Sequence, residues 1–320
     1  MKIKNLYNLD SFKKFLDCHN RPGFTDAAAG VVLARNLTQV DPKIFEKLYP
    51  ELTFMNSGID IDNSGGYARR IQSLRLREQG QFTTSSDGTS EKGKISISGE
   101  NSYLNVLVRE AFSRWNDDEI GEAALQNINL VSRFLEAHNK IYMREVDEIG
   151  FTGIPDVTGS TGLLNYGSFT SAGAGGAIGT LTAQQMYDEI SELIVAQWNA
   201  VNNTPGYMAN TVVMPVSIMN TLQSTMMDTA AGNKPVMNAL RENFASVSFY
   251  STFRAESVSA TSVTVAFSNS TEVMKMRIPV PLTIGEIVQE YSFDYRVDSK
   301  YRIAGLDILE DAGGYILTGL

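Results

Sequence analysis

Cysteine is nearly absent: Cys18 stands alone among 320 residues. A lone cysteine excludes an internal disulfide and every multi-cysteine zinc site, and only His19 and His138 are there to help it. No apolar run approaches the roughly 18 residues that a membrane helix needs. The opening MKIKNLYNLDSFKK is basic but has no apolar stretch and no small-residue cleavage site, so no secretory signal is read there. A long basic stripe is missing as well. The chain has 27 Lys+Arg against 36 Asp+Glu, net −9, which disfavours a groove that tracks phosphates.

What remains is ordinary globular composition. Hydrophobic residues make up 43% and charged residues 20%, enough for a sizeable core in one large domain or two coupled ones. The charge is unevenly spread. Residues 1–50 are net basic, whereas residues 101–200 carry 5 basic and 13 acidic side chains. Such segregation suits attraction between copies of the chain, and it equally suits a solvated surface.

The first fifty residues read as an arm with short helices, one starting at Asp41-Pro42 and stopped by Pro50. Residues 56–68 are loop-forming. In RRIQSLRLREQGQF, Leu74 and Leu76 alternate with Arg75 and Arg77; in KISIS, Ile95 and Ile97 alternate with serines. Period two on both sides of a turn-rich tip holding Asp87-Gly88 predicts a long hairpin. The same run also suits a mobile surface loop. Such a hairpin has few large apolar side chains near its tip and cannot bury itself, so it needs another surface to lie on.

Residues 103–114 fit either a returning strand or a short helix. Asn116 and Glu119 then form a capping box for a helix. An apolar stripe from Ile120 through Phe134, Leu135 and His138 to Ile149 predicts one unbroken helix about 50 Å long, ended by Gly150 and Gly153. Thr182 and Gln185 cap a second helix with Met186, Ile190, Leu193 and Ile194 inside. TVVMP predicts a strand, with a helix from Ser217. From Val247 the pattern is β: VSFYSTF, SVTVAFS, EVMKMRI, YSFDYRV and IAGLDIL. This order predicts an α+β fold.

The chemical motifs fail one by one. GAGGAIG at Gly173–Gly179 approximates a dinucleotide turn, but no apolar strand precedes it, Ile178 takes the third glycine's place and no lysine follows. DIDNSG at Asp60–Gly65 starts like a calcium loop, yet Ile71 stands where the bidentate Glu belongs. Cys18-His19 has no third orienting group. His138 lies on the apolar stripe and reads as a satisfied core histidine. No catalytic, cofactor or metal site is read.

The succession of elements nevertheless resembles the major capsid proteins of tailed bacteriophages with the Hong Kong 97 type coat fold, from about Asn20 to Leu320. The residues that carry it are the Arg-containing hairpin 67–105, WNDDEIGEAA from Trp115, the Gly162–Asn165 element within EIGFTGIPDVTGSTGLLNYG, TVVMPVSIMNTL, and the closing RIAGLDILEDAGGYILTGL. It departs from many relatives after the last of these strands, where Glu310, Asp311 and Ala312 replace a proline.

The resemblance implies an arm over 1–55, an extended hairpin over 56–105, a peripheral domain with a spine helix over 106–151, an axial domain over 152–280 and closing strands over 281–320. It implies a virion protein, in the host cytoplasm before assembly, that forms pentamers and hexamers of an icosahedral shell around double-stranded DNA. It implies no cofactor and no membrane. Little sequence precedes the hairpin, so a separate scaffolding protein and a portal are the expected partners. An encapsulin-like compartment shell is the alternative with the same fold, and a nucleotide-binding enzyme the alternative from another class. Contacts between subunits are expected from Arg69, Arg70, Arg75, Arg77, Lys92 and Lys94.

Overall fold

Alternation along residues 70–105 does produce a hairpin. In the computed structural model, which describes residues 52–83, 93–125, 128–157, 159–227, 233–256, 258 and 261–320, β1 (Arg70–Gly80) and β2 (Ile95–Asn105) pair antiparallel, from Arg70↔Asn105 to Gly80↔Ile95. The chain divides into two units, Met1–Leu48 and Tyr49–Leu320, and the described residues belong to the second. The expected arm helix and the Cys18-His19 pair lie outside them.

The ambiguous stretch 103–114 is strand. β3 (Leu107–Asn116) runs into Asn116, whose side chain accepts from Asp118 N at 2.7 Å while Glu119 reaches back to Asn116 N at 3.3 Å. That reciprocal cap starts α1 (Asp117–Leu125). The expected single helix is two. Asn129 takes an extended backbone and accepts from Ser132 N at 3.1 Å, starting α2 (Leu130–Thr152). An asparagine competes with the backbone inside a helix but satisfies orphan amides at its start. The apolar stripe continues across the break, which is why periodicity alone joins the two.

α2 spans about 35 Å. It ends at Gly153, φ +85°, as expected, but Gly150 lies inside it. A Cβ at Gly150 would fall 2.5 Å from the Phe54 ring, so this glycine admits an aromatic ring that packs edge-on to Phe151 at 5.3 Å. The following GLLN segment folds back on the helix end. Leu163 N and Leu164 N donate to the carbonyls of Gly150 and Phe151, and Asn165 Nδ2 donates to Thr152 O, each at 2.9 Å. Carbonyls orphaned by the helix terminus are thereby satisfied.

Beyond it come β4 (Thr170–Gly173), α3 (Ala183–Ala200), β5 (Thr211–Pro215), α4 (Val216–Ser224), α5 (Val236–Asn243), β6 (Ser248–Thr252) and β7 (Val263–Phe267). The last six strands are β8 (Met274–Arg277), β9 (Val280–Ile284), β10 (Val288–Tyr291), β11 (Asp294–Ile303), β12 (Gly305–Ile308) and β13 (Gly314–Thr318). α3 carries its full capping box, Thr182 with Gln185. Two sheets organise the body.

A five-stranded mixed sheet runs β4-β13-β7-β5-β6. Its central strands β5 and β7 are buried on both faces: Val212 and Met214 point into a core with Ile190, Ile194, Ile218, Leu222, Met237 and Leu240, while Val213, Val265 and Phe267 point into another with Ile149, Phe151, Leu163 and Met274. Continuous apolar runs such as TVVMP are the signature of such double burial. In the second sheet, β11 pairs with β3 over Asn116↔Asp294 to Leu107↔Ile303, and with β9 and β10 on its other edge. The body is therefore mixed helix and sheet.

Candidate functional site

The hairpin's base is held by buried charge. Ser73 Oγ donates to Asp307 Oδ2 at 2.7 Å, and Arg277 bridges Asp307 at 3.0 Å and Asp62. Asp307 is 1% exposed, and these partners offset the cost of its burial. Asp62 also accepts from Ser64 N at 2.7 Å; the Ser64 hydrogen bonds, helped by Arg277, hold its carboxyl below the usual value. The calcium-loop candidate is thus a clasp for an arginine of its own chain. Among the described residues no three His, Cys, Asp or Glu side chains gather as for a metal.

One step further out, Arg75 donates to Ile308 O and pairs with Asp311 at 3.5 Å, and Tyr166 donates to Asp311 at 2.8 Å. Burial, then Asp311, pushes the Tyr166 hydroxyl up, so it stays a donor. Arg75 thus has partners within its own chain. The physical reason is the tight turn after β12, which returns Ile308 and Asp311 under the hairpin. Arg70 donates to Asn105 at 3.3 Å and lies over the Tyr103 ring at 5.5 Å. Arg69, Arg77 and Lys94 are exposed, and Lys92 lies outside the described residues. Among the described residues, Arg69, Arg70, Arg75, Arg77 and Lys94 are not gathered into one site.

His138 links α2 to the second sheet. Its ring nitrogens sit 2.8 Å from Ser113 Oγ on β3 and 2.7 Å from Ser299 Oγ on β11. Ser299 in turn donates to Ala111 O at 3.3 Å. Beside it is a crevice of about 190 Å³ lined by Arg109, Ile141, Tyr142, Glu145 and Tyr301. Burial, then Glu145, raises the Tyr301 hydroxyl, and burial raises Tyr142. Both phenols stay protonated, and the serines serve as hydrogen-bonding spacers rather than nucleophiles. The glycine loop is no phosphate cradle either: Gly175 N donates to Glu189 Oε1 at 2.9 Å, placing a carboxylate where a phosphate would have to sit.

The geometry offers interfaces instead of chemistry: a clamped hairpin with exposed strands, and two apolar cores that fix where it projects. A family model described as major capsid protein matches residues 84–315. The chain belongs to the major capsid protein family. The capsid of Myoviridae phage XM1 is similar at 39% identity and TM-score 0.83, over 94% of this chain and 100% of that one. A native GTA particle capsid matches at 13% identity and TM-score 0.66, over 90% and 97%. The solved Mycobacterium phage Ogopogo chain matches at 12% and 0.61, over 90% and 98%. At those two identities the fold is what is shared. No curated protein matches. This major capsid protein of a phage shell is a virion component that assembles with copies of itself, in a structural and not an enzymatic family. Sequence reasoning missed the Asp307–Arg277–Asp62 clasp and the Asp311 latch, whose members are too far apart in the chain for any local signal.

Proposed function

We propose that this capsid protein builds an icosahedral shell of pentamers and hexamers around double-stranded DNA, with the Hong Kong 97 type coat fold. In that reading β3, β11 and α2 form the peripheral domain with its spine helix, and the five-stranded sheet with α3–α5 the axial domain. A separate scaffolding protein and a portal are its assembly partners, and the subunits gather in the host cytoplasm.

The observation that carries the reading is the hairpin. Among the described residues the two eleven-residue strands pair only with each other, and from Leu76 to Gly80 and Ile95 to Glu100 every residue is exposed. A two-stranded ribbon of this kind is marginal in water, so a neighbouring subunit supplies the surface it rests on. Each contact is then heterologous and closes into rings. Arg77 and Lys94, exposed and without an acidic partner on the facing strand, remain candidates for contacts with that neighbour.

The test is removal of Gln81–Gly93. The expected product is a folded subunit or ring that forms no closed shells, seen by negative-stain microscopy and thermal melting. Normal shells from the shortened chain would refute the hairpin's role. Nuclease-resistant DNA in natural particles separates a DNA-filled shell from an enzyme-filled compartment.

A further inference from the structure

The hairpin meets the body through one strand and one face. Side chains alternate along a strand, so Ile71, Ser73, Arg75 and Arg77 of β1 share a face. Ser73 is buried, Arg75 is partly covered and Arg77 is exposed. Among the described residues, the side-chain hydrogen bonds from the ribbon to the body leave from β1: Ser73 to Asp307 and Arg75 to Ile308 O. The strand β2 hangs from β1 by its ladder. The two contacts are about 7 Å apart along the strand. Ser73 holds a carboxylate sealed inside the body, whereas Arg75 reaches its rim, where the Asp311 side chain is 38% exposed. The inner contact is a fulcrum, and the outer one decides how the ribbon leans on it.

The outer contact is incompletely satisfied. Arg75 Nη1 lies 3.5 Å from Asp311 Oδ1, an oxygen that also accepts from Tyr166 at 2.8 Å. Arg75 Nε is buried and meets no acceptor among the described residues, which leaves a charged donor unpaired at a cost. A second carboxylate is within reach. The register places Glu100 of β2 directly opposite Arg75. Opposed residues of an antiparallel pair point to the same side, with Cβ atoms about 4.5–5.5 Å apart. The guanidinium therefore reaches Glu100 by a change of rotamer. Glu100 is exposed and has no partner among the described residues.

We propose that Asp311 is the positioning residue of the hairpin, and that it competes with Glu100 for Arg75. With Arg75 on Asp311 and Ile308 O, the ribbon is drawn against the turn after β12 and projects in one direction. With Arg75 on Glu100, both charges stay within the ribbon, which is then held by Ser73 and swings about it. The held position prevails in the free subunit. It gives Arg75 a carbonyl and a carboxylate that Tyr166 also fixes, whereas an exposed cross-strand pair contributes little. That the held form is the one that assembles rests on the reading that the hairpin crosses to a neighbour. A ribbon of fixed direction gives up less freedom on contact than one that swings.

Spin labels on the free full-length subunit test the competition. One sits on the ribbon at Ser96→Cys and one on α3 at Glu192→Cys, both exposed positions, with Cys18→Ser to leave no third thiol. The chain with Asp311 and Glu100 intact should give one dominant distance between the labels. Asp311→Asn should move much of the population to a second distance. Adding Glu100→Gln to Asp311→Asn should return most of it to the first, a rescue that a merely structural role of Asp311 does not provide. A distribution that ignores Asp311→Asn, or that Glu100→Gln fails to pull back, would overturn the proposal. In unlabelled chains, Asp311→Asn should raise the critical assembly concentration several-fold, and the double change should raise it less. Equal critical concentrations for all three chains would sink the latch's part in assembly. Normal shells after removal of Gln81–Gly93 would sink the crossing itself, whatever the labels report.

Discussion

The centre of the five-stranded sheet and the outer part of the hairpin both carry apolar strand residues, yet one is covered on both faces and the other is exposed. Val212, Val213, Met214, Val265 and Phe267 are each wholly buried. Leu74, Leu76, Ile95 and Ile97 are as apolar and stay in water. The difference is one of location in the hierarchy of assembly. The sheet's apolar surface is removed from water when the chain folds; among the described residues nothing covers the hairpin's outer strands, and the reading proposed above assigns their burial to the shell. Mutations in the two regions should therefore be read in different experiments. Changes in the sheet move the melting of the free subunit, and changes in the hairpin move the concentration at which shells appear.

The sharpest contrast is between Phe267→Ala and Leu76→Ala. Phe267 is completely buried between β8 and the end of α2. Its truncation should cost about 3–5 kcal/mol and yield insoluble or unfolded protein. Leu76→Ala in the free subunit should stay within about 0.5 kcal/mol of the unaltered chain. Denaturant unfolding of both variants measures this. Equal destabilisation would mean that the hairpin packs on its own chain.

Next in size is a buried ion pair within the body. Asp147 is fully buried, accepts from Phe54 N at 2.9 Å and pairs with Arg254 at 2.8 Å. Arg254→Ala removes the cation and leaves the carboxylate with one amide donor. The expected loss is about 3 kcal/mol, read as a lower unfolding midpoint. A change below about 1 kcal/mol would show that the pair contributes little to the folded state.

Phe134→Ala should cost less. The residue lies four positions into α2, half-buried, stacked on Trp115 at 5.2 Å and 13°. Read as the middle of one unbroken helix, it looks like a core residue whose loss abolishes folding. Stacked near the start of a separate helix, it should cost about 2 kcal/mol and leave soluble protein.

That revision shows where sequence is legible and where it is not. Features set by neighbours in the chain are readable: the Thr182–Gln185 box, the Asn116–Glu119 cap, the alternation of Leu74, Leu76, Ile95 and Ile97, and the apolar run Val212–Pro215 of β5. The break before Leu130 is less so, because apolar residues recur on both sides and only Asn129 marks it. The short α5 and the strands β9 and β10 carry too little periodicity to be anticipated. The site is harder still. Ser73 meets Asp307 across 234 positions and Arg75 meets Ile308 O across 233. No local pattern announces such partners, and the sequence of a polar hairpin gives no sign that β12 returns beneath Arg75.

The smallest expected effect concerns the clasp at the hairpin's foot and depends on pH. Asp62 accepts from Ser64 and pairs with Arg277, and the Ser64 hydrogen bonds, helped by the guanidinium, hold its folded pKa below the ordinary 3.8. A carboxyl whose pKa is depressed by folding stabilises the folded state fully above its unfolded value. That contribution declines as pH falls below about 3.8 and is gone once pH drops through the folded value. Asp62→Asn keeps the shape and removes the charge, so the comparison isolates this group from other carboxylates titrating nearby. The unaltered chain should melt slightly higher than Asp62→Asn at pH 7 and by the same margin at pH 5, and the margin should close below pH 3.8. Because the clasp joins Asp62 to Arg277, and Arg277 to the Asp307 that holds Ser73, its loss should loosen the hairpin's foot more than the sheets. Hydrogen exchange should therefore quicken in residues 70–75 of Asp62→Asn at pH 7 and remain unchanged in β5 and β7. A margin that persists unchanged to pH 2, or faster exchange in both regions alike, would show that the clasp belongs to the body's stability and not to the hairpin's.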